Sequence, residues 1–152
     1  MDGHDKPQGE YQSMIKKQKK GWQRHLAQAY KQLTKSKPKA FSNIVPSDIP
    51  EEAGVYLISA KFNIECPYYV GRTKNLRQRI YRNHLMGSLA NARLKKYLIG
   101  SGECKDIEKA KIFIRRKCYV RWFKEKDLRK RGSIEGYVTG VVFPKYGIYE
   151  EH

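Results

Sequence analysis

The chain predicts an α+β domain in which a small three-stranded antiparallel sheet is flanked by helices and preceded by a basic N-terminal helical arm. Three observations predict it. GVYLISA, PYYVG and CYVRWFKE are short, alternate in side-chain character and are rich in β-branched and aromatic residues, as strands are. The segments between and after them place apolar residues at helical spacing. The length of 152 residues suffices for one hydrophobic core without disulfides or oligomerisation.

Residues 1–13 are polar, mixed in charge and without periodicity, and are expected to be disordered. From Met14 to Leu33, the residues Trp22, Leu26, Ala29, Tyr30 and Leu33 recur at helical spacing among Lys and Arg, which reads as a basic amphipathic helix. Such a helix either touches phosphate or docks on the core through Trp22 and Leu26 with its basic face in solvent. TKSKPKAFSNIVPSDIPEEAG, with its prolines and serines, reads as a connector, so arm and connector occupy 14–50 and the main domain 51–152. Its compact core is expected to begin near Gly54.

GVYLISA sets Val55, Leu57 and Ser59 against Tyr56, Ile58 and Ala60, and a hairpin through KFNIECP leads to PYYVG. Asn75 then caps a helix, NLRQRIYRNHLM, whose Leu76 and Ile80 face inward. ANARLKKYLIGSG is a short helix ended by its glycines, and DIEKAKIFIRRK is another. CYVRWFKE supplies the third strand. A last helix runs from about Asp127 to Phe143, with Ile134, Tyr137, Val138, Val141 and Val142 on one face, and Pro144 stops it.

Charge points to the partner. The chain has 32 Lys and Arg against 15 Asp and Glu, a formal +17, and residues 11–40 alone hold nine Lys or Arg and no acid. Such a field attracts polyanions, and nucleic acid leads because phosphate neutralisation drives most non-specific binding. No apolar run is long enough to span a bilayer and MDGHDKPQGEYQS has no apolar leader core, so a cytoplasmic protein without a membrane partner is expected. Cys66, Cys104 and Cys118 are odd in number and match neither a disulfide framework nor paired zinc ligands.

Gly54-Val55-Tyr56, followed after twelve residues by Tyr69-Val70-Gly71, resembles the two-part motif of the GIY-YIG nucleases. In that family the second motif leads into a helix with an arginine ten residues beyond its tyrosine, the position of Arg79 here. The family then places a glutamate on a late helix ahead of a proline stop, as Glu135 stands in GSIEGYVTGVVFPKYG. The resemblance covers residues 54–147. FSNIVPSDIPEEAGVYLI and the basic insert after the arginine helix resemble the restriction-enzyme branch more than the homing or excision-repair branches.

The resemblance implies a division of labour. Hydrolysis of a phosphodiester needs a nucleophilic water, dispersal of charge on the phosphoryl oxygens and stabilisation of the departing oxygen. Tyr56, with Tyr69, would position and deprotonate the water, and Arg72 would supply the cationic field a phenol needs near neutral pH. Arg79 would grip the scissile phosphate, and Glu135 would be the metal ligand for one Mg²⁺ or Mn²⁺. Two positions depart from the pattern. Asn83 stands one helical turn beyond Arg79, where the family has His or Tyr, and Gly147 stands where it often has asparagine. In a regular helix Asn83 lies within roughly 40° of Arg79 and the neighbouring His84 about 140° away, which leaves His84 either catalytic or on the surface. The expected substrate is DNA, with RNA as the lesser candidate, contacted by Asn83, Lys95, Lys96, Arg115 and Arg116, in a monomer or a homodimer. The alternative is a catalytically weak or inactive nucleic-acid-binding module that retains the fold.

Overall fold

Strand β2 (Gly54–Ala60) is apolar on both sides and buried along its whole length, which forces cover on each face. The structure is a computed structural model and describes residues 8–60, 66–87 and 93–147, with the side chains of 83–85 outside that description. Its elements in chain order are α1 (Gln8–Lys35), β1 (Lys39–Ala40), a 3₁₀ turn (Pro46–Asp48), β2, β3 (Pro67–Thr73), a π-helix (Gln78–Met86), α2 (Arg93–Gly100), α3 (Ile107–Lys117), β4 (Cys118–Lys124) and α4 (Leu128–Val142). The antiparallel sheet runs β1-β4-β2-β3. It therefore has four strands and not three. The extra one is the two-residue β1, which lies inside the expected connector and pairs Lys39 with Val120 and Ala40 with Tyr119.

One face of the sheet, carrying Tyr56, Ile58, Ala60 and Val120, packs on Leu76 just ahead of the π-helix, on Ile80 within it, and on Leu94, Leu98 and Ile114 of α2 and α3. The other, with Val55, Leu57 and Phe123, packs on Ala29 and Leu33 of α1 and on Ile134 and Val138 of α4. The core thus includes residues well ahead of Gly54, Phe41, Ile44 and Ile49 among them. Trp22, Leu26 and Tyr30 pack against the second cluster, so the C-terminal half of α1 is a docked layer of the domain. The helix starts at Gln8, ahead of Met14, so residues 8–13 are helical and not disordered. From Gln8 to Gly21 every residue is exposed, an overhang of about 20 Å at the helical rise.

Local chemistry accounts for the boundaries. Asn75 Oδ1 accepts from the Gln78 amide at 3.0 Å, Asp106 Oδ1 from Lys109 at 2.9 Å and Asp127 Oδ1 from Lys130 at 2.8 Å, each capping the helix that follows. The helix after Asn75 is wound as a π-helix, bonded i→i+5. It turns by less per residue than a regular helix, so the angles expected for positions 83 and 84 do not hold. On α4 the inward stripe is narrower than expected: Ile134 and Val138 are buried, whereas Tyr137 and Val141 are exposed. Tyr137 meets Tyr30 of α1 edge-on instead.

Between β2 and β3 the register shifts, Ile58 pairing with Tyr69 and Ser59 with Pro67, so Tyr68 is a bulge residue. Both Tyr68 and Tyr69 consequently join the same core cluster. The chain after α4 returns along β3, where the Lys145 and Tyr146 amides donate to the carbonyls of Pro67 and Tyr68 at 2.9 Å each. The Tyr146 hydroxyl donates to Glu103, as does Lys145 at 3.0 Å. This pins the tail despite Gly147. The three cysteines are free, and burial pushes the Cys104 and Cys118 thiols up, away from reactivity. Among the described residues no helix is long and apolar enough to cross a membrane.

Candidate active site

Edge strand β3 has one neighbour in the sheet, and a cleft of about 270 Å³ opens along its outer side. Tyr56, Tyr69, Arg72, Arg79 and Glu135 all line it, together with Val70 and Arg93. They come from β2, β3, the π-helix, α2 and α4, separated by up to 79 positions in sequence (135 − 56).

Tyr56 reaches the cleft by passing across β3 where that strand has no side chain. Its cross-strand partner is Gly71, and a Cβ there would sit 2.5 Å from the Tyr56 hydroxyl and 2.6 Å from its ring carbon. The Tyr56 and Tyr69 rings lie 6.1 Å apart, and Tyr69 meets the Tyr97 ring at a tilt, 6.4 Å away. Burial pushes the Tyr56 phenol well above its ordinary value, Tyr69 adds to the shift, and Arg79 only partly opposes it. Tyr69 is raised by burial as well, with Arg93 as the leading opposing charge. The field at the two phenols therefore comes from Arg79 and Arg93, and not from Arg72 as the sequence suggested. It does not overcome burial.

Arg72 instead faces the carboxylate. Its Nη1 lies 4.0 Å from Glu135 Oε1, and the Arg72 backbone also hydrogen-bonds this side chain. Gly132, one turn before Glu135 on α4, leaves the room: a Cβ at 132 would meet Arg72 Nη1 at 2.7 Å. Burial raises the Glu135 pKa, and Arg72 and Arg93 offset part of that rise. Among the described residues Glu135 is the one carboxylate in the lining, and no group of three or more His, Cys, Asp or Glu forms a metal cage. A lone hard oxygen donor beside a wet, polar cleft suits Mg²⁺ or Mn²⁺, which keep several waters and share phosphate oxygens.

The other candidates fall elsewhere. Asn83 and His84 lie outside the residues whose side chains are described. Lys95 is fully buried, and its ammonium donates to the Gly87 carbonyl just beyond the π-helix. Burial lowers its pKa to about 8, with Lys111 contributing. It supports the end of the arginine helix and offers nothing to a surface phosphate, which corrects the expectation for this residue. Lys96, Arg115 and Arg116 are exposed on α2 and α3, outside the cleft, and Arg115 rests against Met86. Arg93 is the cleft residue that sequence reasoning missed. It is one basic residue among 32, and no local pattern sets it apart.

The GIY-YIG catalytic domain family matches residues 52–131, just over half of the chain and ending before Glu135. No curated protein and no solved structure gives a significant match. With both glycine-bearing strand motifs paired in one sheet and the arginine helix directly behind them, the chain belongs to the GIY-YIG family of nuclease domains.

Proposed function

We propose that the protein is a divalent-metal-dependent DNA endonuclease that hydrolyses phosphodiester bonds in the β3-edge cleft. The observation that carries this reading is the convergence of Tyr56, Tyr69, Arg72, Arg79 and Glu135 on one lining. Five ordinary surface residues of these types would not meet.

In this reading Arg79 and Arg93 bind the phosphate as planar fork donors, and they hold its charge as the transition state develops. The Tyr56 hydroxyl, backed by Tyr69, orients the attacking water by accepting a hydrogen bond from it. As the phenol is held protonated by burial, the proton-accepting phenolate is a minor species that grows with pH. Arg72 favours the ionised form of Glu135 and offsets part of the rise that burial imposes on its pKa. Glu135 would hold one Mg²⁺ or Mn²⁺, which when bound supplies charge neutralisation at the phosphoryl and departing oxygens. Asn83 stands where the family has His or Tyr, and in this reading Tyr56 serves as the base, with His84 the other candidate.

The test is incubation of plasmid, single-stranded DNA and RNA with Mg²⁺ or Mn²⁺. DNA fragments are expected, and both Arg79→Ala and Glu135→Ala should bind without cutting. Cleavage unchanged in both variants would refute the assignments. One observation favours a second reading, a binding module with weak or no turnover: the same burial that raises the Tyr56 pKa disfavours its phenolate. Shifted but intact DNA in both metals at alkaline pH would select it.

A further inference from the structure

A cavity of about 480 Å³ opens between α1 and the β1/β4 edge, across the sheet from the cleft. Lys31 and Lys35 line it from one stripe of α1, Lys37 and Lys39 from the following chain, and Arg121 and Trp122 from β4. Among the described residues, none that lines it is acidic. Among the described residues, none of these five cations has a carboxylate within ion-pair distance.

Arg121 is the informative member. It is only 6% exposed, and its Nε donates to the Ser36 carbonyl at the end of α1, at 2.6 Å. Burial depresses its pKa, the signature of a cation whose water has been removed without a countercharge. A guanidinium has five donors, and a buried one is ordinarily met by a carboxylate or by a ligand oxyanion. The negative end of α1 offsets roughly half a charge. That accounts for the Ser36 bond, but not for four further lysines converging on the same groove with no acid among the described lining residues.

We propose that this groove binds the phosphodiester backbone of nucleic acid, as a second grip separate from the cleavage cleft. Phosphate oxygens would complete the donors of Arg121 and neutralise the lysines. The choice of polyanion rests on the nuclease reading of the cleft; the groove's need for an anion does not. Three strand spacings, roughly 14 Å, separate β1 from β3, so a strand held at both places must cross the domain.

The experiment measures binding of labelled single- and double-stranded DNA of about 30 nucleotides by anisotropy in EDTA, across a salt series. A groove variant, Lys31→Ala with Lys37→Ala and Lys39→Ala, is compared with Lys16→Ala, Lys17→Ala and Lys19→Ala, which removes equal charge from the overhang of α1. The groove variant should lose about tenfold or more in affinity, with the salt slope falling by about two to three, and the overhang variant less than about threefold. Equal losses would overturn the proposal in favour of a diffuse field, and so would an unchanged groove variant. Displacement of DNA by polyglutamate as readily as by unlabelled DNA would overturn it in favour of an acidic protein. Arg121→Gln should reproduce the loss; if it does not fold, the lysine variants decide. A wild-type protein that cuts no nucleic acid yet shows the groove difference would sink the nuclease reading alone, and cleavage with no groove difference would sink the groove alone.

Discussion

Arg72 Nη1 stands 4.0 Å from Oε1 of Glu135, so this carboxylate of the cleft is shared between a guanidinium and any metal that enters. The consequence is readable in pH. Burial raises the Glu135 pKa, so its protonated, metal-incompetent form persists to higher pH than for an ordinary carboxylate. Cleavage should fall on the acid side as pH drops through that raised value. Arg72→Ala removes an opposing charge, so the acid limb should move to higher pH, with Arg72→Lys in between. A pH-rate profile at fixed Mn²⁺ checks it, and coincident acid limbs would contradict the pairing.

Tyr56 sets the other limb. Its phenol is raised by burial and by Tyr69, with Arg79 only partly compensating, so the phenolate gains about tenfold per pH unit through the neutral range. The cleavage rate should climb with that slope up to alkaline pH without levelling off. Tyr56→Phe should lower the rate by about 10²–10⁴ and abolish the slope while leaving thermal stability close to wild type.

Arg93 is exposed at the first turn of α2, and its charge acts on both Tyr69 and Glu135. Arg93→Ala should lower kcat/KM by about 10–100-fold, the loss of one charge-assisted contact to phosphate. Lys96→Ala, on the same helix but outside the cleft, should change it by less than about threefold. Steady-state kinetics on a defined duplex separates the two.

Gly71 and Gly132 predict opposite stability outcomes. A Cβ at 71 would lie 2.5 Å from the hydroxyl of Tyr56, whose ring is buried and cannot retreat. Gly71→Ala should cost about 1–3 kcal/mol and most of the activity. At 132 the obstacle is the far end of the Arg72 side chain, at 2.7 Å, which can swing away. Gly132→Ala should leave stability within about 1 kcal/mol of wild type and act on the acid limb instead. Denaturant unfolding together with the pH profile tests both.

Glu103 joins the tail to the body through Tyr146, Lys145 and Tyr68. Burial raises its pKa, but the hydrogen bonds from Tyr146 and Lys145 outweigh this and hold it below the ordinary value. A folded-state pKa depressed below the unfolded one contributes stability above the unfolded value, and loses it as pH falls through the folded one. Glu103→Gln should therefore cost about 1–3 kcal/mol at neutral pH, and the difference from wild type should vanish in acid below the folded-state pKa. Unfolding curves at neutral and acid pH give the comparison.

Much of this was legible in the sequence because local rules and tertiary outcome agree. Alternation marked the three long strands, Asn75 the start of the arginine helix, and the order of two tyrosines, an arginine and a glutamate the cleft. What escaped has no local signature. Lys39 and Ala40 pair with β4 only because the chain after α1 is led past that edge. The winding at Gln78–Met86 leaves no mark in propensity, and it alters which positions stand near Arg79. Lys95 and Lys96 are adjacent and chemically identical, yet one is fully buried against a helix end and the other faces solvent. Such distinctions arise from packing.

The extra residue in β3 makes strand register a determinant of chemistry. In an unbulged hairpin neighbouring tyrosines would project to opposite sides, one toward α1 and α4 and one toward the π-helix. The doubled step at Tyr68 sends both the same way, one to anchor the returning tail and its neighbour to the cleft. Engineered chains with altered spacing between Ala60 and Cys66 should thus keep their reactive tyrosine in place, whereas excising Tyr68 would leave Pro67 opposite Ser59 and Tyr69 opposite Ile58 while removing the bulge and the contact to Glu103.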